Sequence, residues 1–402
     1  MWKSPIVGIA IAAALFAPAV YAQEPAEVRI EAAPQEPSDG SGGSFVDKLK
    51  NFADDIQIVD RINGDVDGWY PRLGGMTTGS GFALGPGYRM HLFGDRIFVD
   101  GSAAVTTKGY KAIDGKVEWL QSRYQRVELW TNFRYQDFPQ EDFFGLGGNS
   151  SQQSRTNYAL TSTDFTAMGI FHARPWLRLG ADLGYFNPTL GSGTDRNYPT
   201  TGALFSDVEA PGLDAQPSFL HTTTFAEIDY RDQPENARSG GYYKGAFGWW
   251  DDRTLHGFDF GRFDGEVAQF VPIVTKSHVF AARMGVSYVN NEPDDRVPFY
   301  VLPYVGGSRS LRSVEEFRYT DENALFLNAE YRWAIIKNLN IALFYDAGKV
   351  SRNWSDINLA DLKTGYGIGF RGGTSKRTFV RLDIGMGGGE GRQIFFKLGP
   401  SF

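Results

Sequence analysis

The sequence predicts an all-β fold: a transmembrane antiparallel β-barrel of about 16 strands, preceded by a short N-terminal amphipathic helix. Three observations carry that prediction. Residues 1–22 have the layout of an export signal. From Trp69 to Phe402 apolar and polar residues alternate with a period of two, the repeat of a strand with two unlike faces. The chain closes on such a strand, with Phe402 as its last residue.

The export signal comes first because it decides which solvent the rest of the chain must suit. Lys3 supplies a positive n-region, Ile6 to Phe16 form an apolar run, and Val20-Tyr21-Ala22 is a small-x-small cleavage site. A spanning helix needs roughly 20 apolar residues, so this run reads as a cleaved signal peptide that sends the chain through the Sec pathway. With Cys 0 there is no disulfide framework and no thiolate metal site, so an oxidising compartment costs the chain nothing. A mean hydropathy of −0.32 without a later helical span would by itself describe a soluble protein. The 48 glycines and 15% aromatic residues, distributed over alternating strands, instead fit a barrel with a wet lumen and a lipid-facing outside. A net charge of −7 with no basic patch argues against a nucleic-acid partner.

Residues 23–43, rich in Pro, Glu, Ala and Gly, read as a disordered linker. Residues 44–63 read as the amphipathic helix. Ser44 is its N-cap, Asp47 lies in the first turn, and Phe45, Leu49, Phe52, Ile56 and Val59 recur at helical spacing. The helix is expected in the periplasm. Packing against the barrel rim and binding a membrane surface or partner both fit it.

The barrel occupies 69–402. Its strands are predicted at 71–79, 81–92, 96–107, 109–122, 125–137, 157–172, 176–187, 218–231, 240–251, 258–271, 276–290, 323–334, 339–349, 362–373, 377–387 and 392–402. The first is the least defined, because Gly74 to Gly81 reads equally as a short strand or a loop. Ile394, Phe396, Leu398 and Phe402 suit lipid, and Leu325, Leu327, Ala329, Tyr331 and Trp333 do the same on an earlier strand; Glu330 and Arg332 therefore point inward. An even count leaves both barrel ends in the periplasm, so connections after odd strands face outward. The long connections 138–156, 188–217 and 291–322 all fall in that set.

Four local patterns stand in register with these strands. They are Asp229-Tyr230-Arg231-Asp232 with Pro234 and Gly240-Gly241-Tyr242; Pro303 to Arg312, which contains Gly306 and Gly307; Asn328 to Arg332; and Phe344-Tyr345-Asp346-Ala347-Gly348. In this order the chain resembles the BamA/TamA (bacterial surface antigen) superfamily of outer-membrane assembly and translocation proteins, from about Tyr70 to Phe402. The resemblance implies a non-enzymatic factor that helps insert or move protein or lipid at the Gram-negative outer membrane. Its partners would be outer-membrane lipid and lipopolysaccharide, the assembly machinery for its own insertion, and an unfolded protein or lipid as cargo. Phe402 then serves as the C-terminal barrel signal. Two departures stand out. Relatives carry periplasmic POTRA domains, and residues 23–68 offer no room for one, so the chain reads as a POTRA-less member. The family's Val-Arg-Gly-Phe/Tyr loop motif reads Leu311-Arg312-Ser313-Val314 here, which exchanges its glycine for Ser313.

The 291–322 loop is too long to be idle in a compact fold. If it folds inward, Arg312 meets Glu330 and Asp346, which alternation turns to the lumen. That contact would pin the loop to the wall, and the resemblance implies the same lock. The last strand contains Gly399 and Pro400, and Pro cannot donate to a ladder, which suits a weak seam against the first strand and equally suits ordinary closure. Trp69, Tyr70, Trp249, Trp250, Trp333 and Trp354 fit interface girdles. No catalytic group, cofactor site or metal site is expected: the five histidines are scattered, and Gly387 to Gly391 lacks a phosphate-cradling Lys-Ser/Thr and reads as the last hairpin turn. A gated or passive porin-like pore is the competing function, followed by an outer-membrane hydrolase.

Overall fold

The structure, a computed structural model, describes residues 66–119, 126–292, 294–336, 338–373 and 378–398. The expected signal peptide, linker, helix at 44–63 and terminal Phe402 lie outside the described residues.

Sixteen strands form one antiparallel sheet in chain order. They are β1 (Gly68–Gly74), β2 (Ala83–Leu92), β3 (Ile97–Thr106), β4 (Lys111–Trp119), β5 (Val127–Phe143), β6 (Thr156–Arg174), β7 (Leu177–Ser192), β8 (Phe219–Asp229), β9 (Gly240–Asp252), β10 (Phe260–Pro272) and β11 (His278–Asn290). The sheet continues through β14 (Asn323–Ile336), β15 (Leu339–Ser351), β16 (Lys363–Gly373), β17 (Thr378–Gly387) and β18 (Arg392–Leu398). Between β11 and β14, the short β12 (Tyr304–Val305) and β13 (Tyr319–Thr320) pair with each other. The sheet curls into a nearly closed barrel. Among the described residues no register joins β18 back to β1.

The period-two pattern accounts for the sidedness. On β14, Asn328, Glu330 and Arg332 are buried inside while Tyr331 and Trp333 are exposed outside. On β18, Ile394 and Phe396 are exposed, and Phe395 between them is 4% exposed. Trp250 and Tyr70 depart from the expected girdle. Trp250 is buried among interior rings, and the Tyr70 hydroxyl donates to Asp100 Oδ1 at 2.8 Å. The reason is geometric: neighbours on a strand face opposite ways, so Trp69 and Tyr70, or Trp249 and Trp250, cannot both face lipid.

Three boundaries also differ from expectation. β1 begins earlier and ends at Gly74, because 75–82 is a turn closed by Ser80, whose Oγ accepts from the Met76 and Thr77 amides and donates to Thr77 O at 2.8 Å. β5 and β7 run on through Pro139 and Pro188, which the sequence suggests are loop residues. Beyond Asp137 and Phe186 these strands keep only β6 as a neighbour, so a missing N–H on the other edge breaks no ladder.

One mouth of the barrel is filled by an apolar cap. Phe143, Tyr158, Phe186, Phe219, Trp250 and Phe260 from the walls pack with Val297 and Phe299 to Leu302 of the 291–322 loop. At the other end, the β8–β9 turn tucks Ala237 against Phe270, Val279 and Ala281. Each large apolar side chain so buried contributes about 1.5–3 kcal/mol.

Candidate functional site

The 291–322 loop leaves the cap and descends inside the barrel. Ser310 closes its first bend: its hydroxyl accepts from the Gly306 amide at 2.9 Å and donates to the Gly306 carbonyl at 2.8 Å. Gly306 (φ 144°) lies where a Cβ would overlap the Glu315 carbonyl, and Gly307 (φ 74°) is also left-handed, so both need glycine. Val305, Leu311, Val314 and Tyr319 form a small core with Ala324 and Val350 of the wall. Gly348 leaves room for it; an added Cβ would stand 2.8 Å from Val305 Cγ1.

At the tip, Arg312 is held from three sides. Its Nε donates to Asp346 Oδ2 at 2.7 Å and its Nη2 to Oδ1 at 2.6 Å, a bidentate fork; its amide also donates to Oδ2, at 3.1 Å. Nη1 donates to Glu330 Oε1. The guanidinium carbon lies 3.7 Å from the centroid of Phe344, a cation–π contact. Asn328 Nδ2 ties the assembly together, donating to Asp346 Oδ1 at 2.7 Å and to the Ser310 carbonyl at 2.6 Å. Glu330 and Asp346 are 0% exposed, so both are buried charges whose cost is offset only by the cations beside them.

The network continues beyond the three predicted residues. Arg371 Nη1 donates to Asp383 Oδ1 at 2.6 Å and Nη2 to Glu330 at 3.3 Å. Arg332 Nε donates to Glu330 Oε2 at 2.7 Å. Arg381 pairs with Asp383, and its Nη2 donates to the Ser308 carbonyl of the loop at 2.6 Å. Arg371, Arg381 and Asp383 also follow from alternation on their strands; what hides them in the sequence is that their pairing with one another and with Glu330 depends on strand register.

The loop rests on glycines. A Cβ at Gly385 would overlap the Arg312 carbonyl, one at Gly365 would overlap Ser313 Oγ, and one at Gly388 would lie 2.7 Å from Val314 Cγ1. This answers the exchange of glycine for Ser313. Ser313 has no left-handed φ and is fully buried, and the wall opposite it supplies the missing space.

The Asp229, Arg231 and Asp232 motif has a different task. Arg231 forks onto Asp229 at 2.9 and 2.7 Å, and Asp232 Oδ1 accepts from the Gln233, Arg238 and Ser239 amides at 3.0, 2.9 and 3.1 Å. Burial raises the Asp232 carboxyl, but the Lys276 ammonium at 2.7 Å and these amides outweigh it and hold it at about 2. The motif therefore shapes the β8–β9 turn. That turn enters the lumen from below, where Asn236, Ala237 and Arg238 line a small cavity together with Arg332 and Arg371. Loop and turn thus approach the same arginines from opposite mouths.

One further constellation escapes sequence reading. His221, buried on β8, lies between Asp164 at 3.3 Å and Asp182 at 3.5 Å and stacks on Trp250. Long separations in the chain conceal it. Among the described residues no group of three His, Cys, Asp or Glu is placed to hold a metal.

The chain superposes on BamA from Haemophilus ducreyi lacking POTRA domains 1–3 with a TM-score of 0.62 at 14% identity, over 83% of this chain and 70% of that one. It matches CdiB from Escherichia coli with a TM-score of 0.54 at 11% identity, over 83% and 62%. At these identities the likeness is one of fold. Curated proteins give no sequence match. The Omp85 superfamily domain, whose members reside in the Gram-negative outer membrane, matches residues 102–402, three quarters of the sequence and every strand that forms the Arg312 network. The chain belongs to the Omp85 superfamily.

Proposed function

We propose that this protein is a non-enzymatic outer-membrane factor, exported by the Sec pathway, that assists insertion or transport of protein or lipid at the membrane. One observation carries the reading. The lumen is occupied by the Arg312 loop from one mouth and the β8–β9 turn from the other, while β1 and β18 share no register among the described residues. A barrel filled along its axis, with no register across its seam among the described residues, favours sideways work over axial flow. The edges of β1 and β18, which share no register among the described residues, offer N–H and C=O groups to an incoming strand. Arg312, Glu330 and Asp346 lock the loop in this reading; Asp229, Arg231 and Asp232 fix the turn. Lipid and lipopolysaccharide surround the barrel, and the outer-membrane assembly machinery inserts it. Membership of a superfamily of insertases and transporters supports the same choice.

The test is site-specific photo-crosslinking from β1 and β18 in cells. Crosslinks to nascent barrel proteins or to lipid support the reading. Steady conductance of the purified protein in planar bilayers, with no crosslinks and no effect of deletion on other outer-membrane proteins, favours a porin-like pore instead.

A further inference from the structure

The loop touches both sides of the seam. Four residues past Arg312, Glu316 Oε2 accepts from the Thr78 amide at 3.1 Å, in the β1–β2 connection. Two residues further, Arg318 pairs with Glu390 in the β17–β18 turn, and both side chains are buried. Thr78 and Glu390 belong to the first and last hairpins of the sheet, at the same rim, on opposite sides of the gap. Between the two contacts stands Phe317, a non-glycine residue with φ 60°, its ring 4.5 Å from that of Tyr304. The left-handed turn there sends the flanking side chains to different hairpins. Each arm is braced. Tyr304 donates to Glu316 Oε1 at 3.0 Å, and Arg318 also donates to Ser150 Oγ and Ser150 O, both at 2.9 Å.

The geometry points to Glu316 and Arg318 as a clasp that holds the seam shut at the extracellular end, so that the seam opens only when the loop lets go of one hairpin. Neither residue belongs to the Arg312 lock, yet both ride on the same loop. Movement of the lock is therefore transmitted to the seam, and the clasp is the regulated step of the proposed lateral function, on which this inference rests. Among the described residues, opening breaks these contacts at one end rather than a ladder along the whole strand.

The chain has no cysteine, so two introduced ones report cleanly. Spin labels on Leu84→Cys and Ile394→Cys, both lipid-facing and close to the clasped rim, measure the gap in full-length protein in bilayers. A single narrow separation is expected. In the Glu316→Ala/Arg318→Ala variant it broadens and lengthens by at least one strand spacing, about 4.8 Å. The Arg318→Glu/Glu390→Arg exchange, with Glu316 intact, restores the narrow form. Heat-modifiable migration verifies folding; if the alanine variant does not fold, Glu316→Gln/Arg318→Lys is read in the same way. An unchanged separation in a folded variant overturns the clasp. The outcome is independent of cargo. A widened gap without crosslinks to cargo keeps the clasp and removes the insertion reading, and crosslinks with an unchanged gap do the reverse.

Discussion

The wall of β5 to β7 and the seam are built from the same kind of strand to opposite effect. β5, β6 and β7 are 17, 19 and 16 residues long, and their registers run almost unbroken from one rim to the other. β1 and β18 have 7 residues each, and no register joins them among the described residues. The wall also carries the apolar cap, where Phe143, Tyr158 and Phe186 interlock. The seam side carries glycines, Gly365 and Gly385, that leave room for the loop rather than for a packed side chain. The difference teaches that the barrel's cohesion is distributed unevenly by design of the sequence: apolar packing fixes one half, and an ionic lock on an inward-folded loop fixes the other.

The largest way to break that comparison is to remove Arg312. Arg312→Ala leaves Glu330 and Asp346 buried with fewer cations, which costs about 3–5 kcal/mol. We expect a matching loss in denaturant unfolding of the purified barrel, and a rise in bilayer conductance as the loop leaves the lumen. Arg312→Lys keeps the charge but loses the fork, so its loss is smaller. An Arg312→Ala protein with unchanged stability and conductance would show that the loop is held by its apolar core alone.

A smaller effect sharpens the same point without touching a charge. Gly385→Ala drives a Cβ into the Arg312 carbonyl, and the overpacking costs about 1–3 kcal/mol while the ion pairs remain chemically intact. Limited proteolysis should cut the 291–322 loop faster in this variant and leave the β5–β7 wall untouched. Equal cleavage would mean that the glycine bed is not needed for docking.

The smallest effect concerns the β8–β9 turn. Asp232 is held at about 2, below its unfolded value, so its contribution to the turn is complete above the unfolded carboxylate range and is lost as pH falls through about 2. Amide exchange of Arg238 and Ser239 should stay slow relative to unstructured amides at pH 4 and accelerate as pH approaches 2, after allowance for intrinsic rates. Asp232→Asn, which removes the charge, should abolish that dependence.

Much of this was legible in the sequence, for a physical reason. Alternation is a strong signal wherever one face meets lipid, so the strand number and the inward direction of Glu330, Arg332 and Asp346 follow from period two alone. The ends of β5 and β7 were not legible, because Pro139 and Pro188 signal a break only when both edges of a strand are paired. Within the site, Arg312, Glu330 and Asp346 stand out as charges on a loop and two neighbouring strands. Arg371, Arg381 and Asp383 did not, since many charges point into a wet barrel and only the strand register shows that these three meet one another and Glu330. The clasp was hidden altogether: Thr78 contributes a backbone amide, which leaves no mark on residue type, and Glu390 sits in a turn that glycine dominates. Ser313 shows the converse case. Read locally it disrupts a glycine position, and only Gly365 on another strand reveals how it is accommodated.

Hydrogen–deuterium exchange of the full-length protein in bilayers tests the uneven barrel most directly, because it reads the wall and the seam in one sample. Backbone amides of β1 and β18 should exchange roughly tenfold or more faster than those of β6, and Arg312→Ala should widen the gap by accelerating β1, β18 and the loop but not β6. Equal protection of β1, β18 and β6, unchanged by Arg312→Ala, would contradict the account.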